Sequence, residues 1–160
     1  MKLTDLFQLR FVPRPPAAAL LAVIALTASA AERTANLPGA GEQALREASS
    51  TLRVVAGVPK VTPDSATASL HLEGTEDQLA VADWMLAQID AGQTKDYSDT
   101  VRVFRVPQNT TGQSVQQLMA NLRSEFGIRT MFHYSDKHLL FCRGTAEQLD
   151  KTAGKLFAKE

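Results

Sequence analysis

Leu70-His71-Leu72-Glu73-Gly74-Thr75-Glu76-Asp77-Gln78-Leu79 returns seventy residues later as Leu140-Phe141-Cys142-Arg143-Gly144-Thr145-Ala146-Glu147-Gln148-Leu149. Each copy reads as a strand, a turn, a helix cap and the start of a helix. Ser69 to Leu72 alternates polar and apolar side chains, the pattern of a half-buried strand. Gly74 and Gly144 stand where the backbone must turn without a Cβ clash. Thr75 with Gln78, and Thr145 with Gln148, have the spacing of a capping box, in which hydroxyl and amide satisfy each other's helix-end N–H groups. Glu76, Asp77 and Glu147 lie near the positive end of each helix dipole. Leu79, Ala82 and Leu86 continue one apolar stripe, and Leu149, Thr152 and Leu156 follow at the same offsets. Two matches in register argue for an internal repeat.

Working outward, the second copy closes a well-marked unit. Val101–Val106 reads as a strand stopped by Pro107, and 112–126 as a helix with Val115, Leu118, Met119, Leu122 and Phe126 on one face. Gly127 is its left-handed cap. Ile128–Tyr134 and His138–Arg143 are strands around the turn Ser135-Asp136-Lys137, and a helix follows from Thr145. The order is β-α-β-β-α. The first copy reads as a weaker α-β-β-α. A short helix spans Glu42–Ser49. A strand around Leu52, Val54 and Val55 forms a hairpin with Ala68–Leu72, and a helix runs from Thr75 to Asp90, stopped by Gly92. The expected fold class is α+β, with helices packed on one face of each small sheet. The expected divisions are 31–41 as a tether, 42–92 as the first module, 93–99 as a linker and 100–160 as the second module.

The amino terminus is read as an export signal, 1–30. Lys2, Arg10 and Arg14 precede the apolar run Ala17–Ala28, which is short for a bilayer span, and Ala28-Ser29-Ala30 is a small-residue cleavage site. The alternative is an uncleaved inner-membrane anchor at 15–30. Cleavage removes three basic residues and one acidic one from a chain with 17 of each, leaving a net charge of −2. That excludes the basic field nucleic-acid binding needs. Cys142 is the sole cysteine, so no intrachain disulfide forms, and it reads as a small buried apolar residue. The expected location is periplasmic or secreted.

The strand running into Gly-Thr-x-x-Gln-Leu and a helix resembles the periplasmic amino-terminal modules of secretins, the outer-membrane channels of secretion and type IV pilus systems. It also resembles the ring-building motif of other secretion and sporulation proteins. Val103-Phe104-Arg105-Val106-Pro107 resembles the entry strand, and Ser135–Gly144 the family's hairpin. The resemblance covers about 100–157 well and 52–90 in part. It implies a β-α-β-β-α fold and a role by protein–protein contact beside an envelope assembly. The sequence carries no carboxy-terminal β-domain, so a channel is not expected of it.

No residue set gathers a catalytic geometry. His133 and His138 flank the turn with Asp136, but the spacing matches no familiar zinc site; His71 stands apart. None of the serines lies in a Gly-x-Ser-x-Gly elbow, and no phosphate-cradling glycine loop is present. No enzyme activity, metal or cofactor is expected; the alternative function is a small periplasmic ligand-binding domain or enzyme. The informative feature is surplus apolar bulk. Leu139 and Phe141 face away from the second module's own core, and Val81, Trp84 and Met85 lie beside the first module's main stripe. Either the two modules cover each other, or these five residues form an interaction surface for a protein partner, a second copy included.

Overall fold

A computed structural model describes residues 30–157. The expected export signal at 1–30, and its alternative as an anchor at 15–30, fall outside the described residues except for Ala30. Among the described residues no helix is long and apolar enough to cross a membrane.

The second module follows its sequence closely. It contains β4 (Val101–Arg105), α3 (Gly112–Phe126), β5 (Thr130–Tyr134), β6 (Leu139–Arg143) and α4 (Ala146–Phe157). β6 is the central strand, antiparallel to β4 and β5. Thr111 caps α3 through its side chain and Gly127 ends it at φ 71°. The sheet face formed by Phe104, Met131, Leu140 and Cys142 packs with Val115, Leu122 and Leu149 of the two helices.

The first module has the same order, β-α-β-β-α, and not the expected α-β-β-α. It contains β1 (Ala31–Asn36), α1 (Glu42–Thr51), β2 (Lys60–Asp64), β3 (Ser69–Gly74) and α2 (Glu76–Ala91). Its central strand is β3, flanked by β1 and β2. The expected tether is therefore mostly a strand. Ala31, Arg33 and Ala35 turn inward while Glu32, Thr34 and Asn36 face solvent. Alanine and arginine on the inward side gave no apolar signal. The strand forms because β3 offers an unpaired edge, and because Arg33 reaches Asp83 and, at 2.6 Å, Glu76 on α2.

The expected strand at Leu52–Val55 is also corrected. Leu52–Ala56 is a π-helical last turn continuing α1, closed by Gly57 at φ 74°. Its buried residues are Leu52, Val55 and Ala56, a helical spacing that the β-branched pair Val54-Val55 masked. β3 pairs instead with β2. Counting the π turn, the first helix runs 42–56, the length of 112–126 in α3.

The repeat extends to details. Thr75 and Gln78 make a full capping box, and Thr145 and Gln148 make the same two bonds. Gln78 Nε2 also donates to Gly57 O at 2.7 Å and Gln148 Nε2 to Phe126 O at 2.8 Å, tying each joint to the end of the preceding helix. A Cβ on Gly74 or Gly144 would sit 2.9 or 2.8 Å from that glutamine's Oε1, so a larger residue would push the amide off the cap N–H it accepts from. Each hairpin turn ends on a non-glycine residue at positive φ, Ala68 at 49° and His138 at 52°. Their carbonyls accept from Leu37 N and Val106 N, both at 2.8 Å.

The modules stack. The first sheet carries α1 and α2 on its inner face, and the other side of these helices receives the back of the second sheet. Val101, Val103, Tyr134, Leu139 and Phe141 join the first module's core as one cluster. Arg143 Nη1 donates to Val55 O at 3.0 Å, and Ser135 N donates to Glu47 Oε2 at 2.8 Å. The expected linker at 93–99 folds against α2. Trp84 Nε1 donates to Lys95 O at 3.0 Å, and Lys95 N donates to Gln88 Oε1 at 3.0 Å. The layer order is sheet, helices, sheet, helices.

Candidate functional site

The five residues expected as an interaction surface meet at the junction of the modules. Val81, Met85, Leu139 and Phe141 are buried and Trp84 is half-buried. Trp84 meets Phe141 edge-on, with centroids 6.1 Å apart at 88°, and Tyr97 at 5.5 Å. Of the two covers the sequence left open, the structure shows the intramolecular one. The linker holds the two apolar faces at high effective concentration, so each becomes the other's cover. The two sheets explain why the stack runs one way. Val101, Val103, Leu139 and Phe141 on the back of the second sheet stand where the first has Glu32, Thr34, Ser69 and His71, in the same cross-strand pairs. The first sheet therefore presents a polar face to solvent, and the second presents an apolar one to α1 and α2.

The helical face of the second module has no such cover among the described residues. At one corner, where the β4–α3 connection meets α3 and α4, lies an open groove of about 410 Å³. Val106, Pro107, Leu118 and Leu156 supply its apolar lining, with Gln113, Ser114, Gln117, Asn121 and Lys155 around them. The volume falls in the range of ordinary ligand and side-chain sites. The matching corner of the first module, between the β1–α1 connection and α1, is lined by Leu37, Pro38, Ala40 and Ala44. There Tyr134 of the second module fills the space, 1% exposed, and the cavity shrinks to about 150 Å³. Burial, with help from Asp136 and Glu47, pushes the Tyr134 phenol up to about 12, so it stays neutral in its seat.

Leu118 and Leu156 lie on the helix stripes read from the sequence. They are half-buried, because β4 ends at Arg105 and the chain leaves the corner open beside Pro107. Laying the helix 42–48 over 112–118 exposes the difference. The helix positions Ala44, Glu47 and Ala48 become Ser114, Gln117 and Leu118.

The titratable residues weighed in the sequence are spread over both modules, His71 in the first and His133, Asp136, His138 and Cys142 in the second. His133 and His138 rings lie 6.4 Å apart, and His133 Nε2 is buried without a hydrogen-bond partner. Burial, then the neighbouring His138, hold His133 below the usual imidazole range against an opposing pull from Glu47. Asp136 meets Lys137 at 3.8 Å. Among the described residues no three His, Cys, Asp or Glu side chains come together as a metal cluster. His71 is exposed, with Nδ1 3.0 Å from Thr34 Oγ1. The Cys142 thiol is sealed in the second core, where burial pushes it up to about 12, too high for a resting nucleophile.

No protein-family model matches the chain, and no curated protein is significantly similar to it.

Proposed function

We propose that this protein is an exported, non-catalytic protein–protein interaction module, serving as an accessory of an envelope assembly such as a secretion or pilus system, and that it docks its partner on the α3–α4 face. One observation carries the reading. The equivalent face of the first module already holds a protein surface, the back of the second sheet, and the groove that Tyr134 fills there stands open in the second module. The β-α-β-β-α order in both halves adds to the secretin-like resemblance of the sequence. The export assignment rests on the sequence of 1–30. A second reading, a binding site for a small apolar ligand, is favoured by the volume and lining of the same groove.

The test is a photo-crosslinking residue placed at Gln117, on the groove, or at Thr62, on the polar face of the first sheet, in cells of the native host. A discrete protein adduct from position 117 and none from 62 is expected. Adducts from neither position would overturn the docking reading. A small-molecule site would leave position 117 without a protein adduct while raising thermal stability in the presence of its ligand.

A further inference from the structure

We infer that the α3–α4 groove takes the tip of a β-hairpin whose last strand residue is aromatic, inserted as a ring with the following backbone N–H accepted by Gln117. This rests on the docking reading above and names the chemistry of the partner at that site.

The occupant follows from the chain's own seated example. In the first module the ring of Tyr134 ends β5 and fills the corner beside Leu37 and Ala44. The next residue of the hairpin, Ser135, gives its backbone N–H to Glu47 Oε2 at 2.8 Å. Ring and N–H together fix the tip by one apolar and one directional contact. The second module offers a related receptor, with Ser114 in place of Ala44, Gln117 in place of Glu47 and Leu118 in place of Ala48. Val106, Pro107 and Leu118 provide the apolar seat, and Gln117, an amide acceptor, stands seventy residues after Glu47. The amide reaches a neutral backbone N–H without a buried carboxylate, which suits a partner arriving from solvent.

The remainder of the intramolecular contact is not reproduced. Val81, Trp84 and Met85 support the sheet face in the first module, and their counterparts are Lys151, Gly154 and Lys155. Lys155 is engaged by Glu125 and lies 5.6 Å over the Phe126 ring. A whole apolar sheet would therefore meet lysines along α4 and lose their solvation. A hairpin tip needs the corner alone. A second copy cannot supply it from its first module, because Asp64 occupies the position of Tyr134 in that hairpin, held by Thr67 and the backbone of Ala66. The partner is thus a different protein with an exposed Tyr or Phe at a hairpin end.

The probe is a cyclised peptide carrying the chain's own turn, His133 to Leu139, titrated into the isotope-labelled protein and followed by amide chemical shifts. Saturable shifts at Gln117, Leu118 and Leu156 are expected, with affinity falling at least about tenfold when the peptide's tyrosine is alanine. Gln117→Ala should weaken binding by about fivefold, and Leu118→Glu should abolish it. Unchanged Trp84 fluorescence and circular dichroism show that each variant is folded. No shift at millimolar peptide, shifts confined to other faces, or equal binding of the alanine peptide overturns the inference. An adduct at position 117 in cells that the peptide fails to displace also overturns it while leaving the docking function standing. Tyrosine-dependent peptide binding without any cellular adduct upholds the groove chemistry and removes the docking function.

Discussion

Replacing Phe141 by alanine tests whether the two modules are one folding unit. The ring is fully buried at the junction and edge-on to Trp84. Truncating a buried phenylalanine costs about 3–5 kcal/mol, from lost transfer energy plus the cavity left behind. Of this, roughly 0.5–1.5 kcal/mol is the aromatic pair. Against a total stability of about 5–15 kcal/mol that is a large fraction. At about 3 °C per kcal/mol for a chain of this size, the midpoint should fall by on the order of 10–15 °C. Trp84 is the only tryptophan, so its fluorescence reports on the junction, and far-ultraviolet circular dichroism reports on both modules. The two probes should give coincident urea transitions for the natural protein, since a junction of this kind couples the halves. His71→Ala is the matched control. It occupies the same position of the central strand in the first sheet, but exposed, and should shift stability by less than about 0.5 kcal/mol. If Phe141→Ala costs under about 1 kcal/mol, the burial argument for the junction is wrong. If the natural protein shows two separate transitions, the modules are independent domains that merely touch.

Three further outcomes follow from the same contacts. Gly144→Ala forces a Cβ against Gln148 Oε1, and Gln148→Ala removes its bonds to Thr145 N and Phe126 O; each should cost about 1–2 kcal/mol in chemical denaturation, and the double variant less than their sum because both break one joint. His133 is held below its ordinary pKa of 6.5 by burial and by His138, so the unfolded chain binds a proton more readily. Stability from this residue is present above the unfolded value and is lost as pH falls below about 6.5 toward the folded value; His133→Gln should flatten that part of a stability–pH curve. Cys142, buried and pushed up to about 12, should resist a thiol reagent at pH 8 in the native protein and react at once in denaturant; a fast native reaction would contradict the sealed second core.

The local grammar of the chain was legible in its residues. Helices 112–126 and 76–91, the hairpin turn at Ser135–Lys137 and the two glycine joints could be read because each depends on neighbours within a few positions: a cap, a stripe, a turn. The readings that failed needed a partner from far away. Ala31–Asn36 has almost no intrinsic strand signal and becomes one by completing the open edge of β3. Leu52–Ala56 carries β-branched residues but is drawn into helix, because Leu52 and Val55 must reach the shared core.

Sequence alone determined that the protein is a duplicated α+β unit with more apolar surface than each half can bury. Only the tertiary structure decided how that surplus is spent. The back of the second sheet covers the helices of the first module, and among the described residues nothing covers the corner at Leu118 and Pro107. A residue's periodicity tells which way it points within its own helix or strand. What it meets there is set by long-range packing, and one chain can satisfy the same pattern by filling one corner with Tyr134 while its counterpart stays uncovered among the described residues.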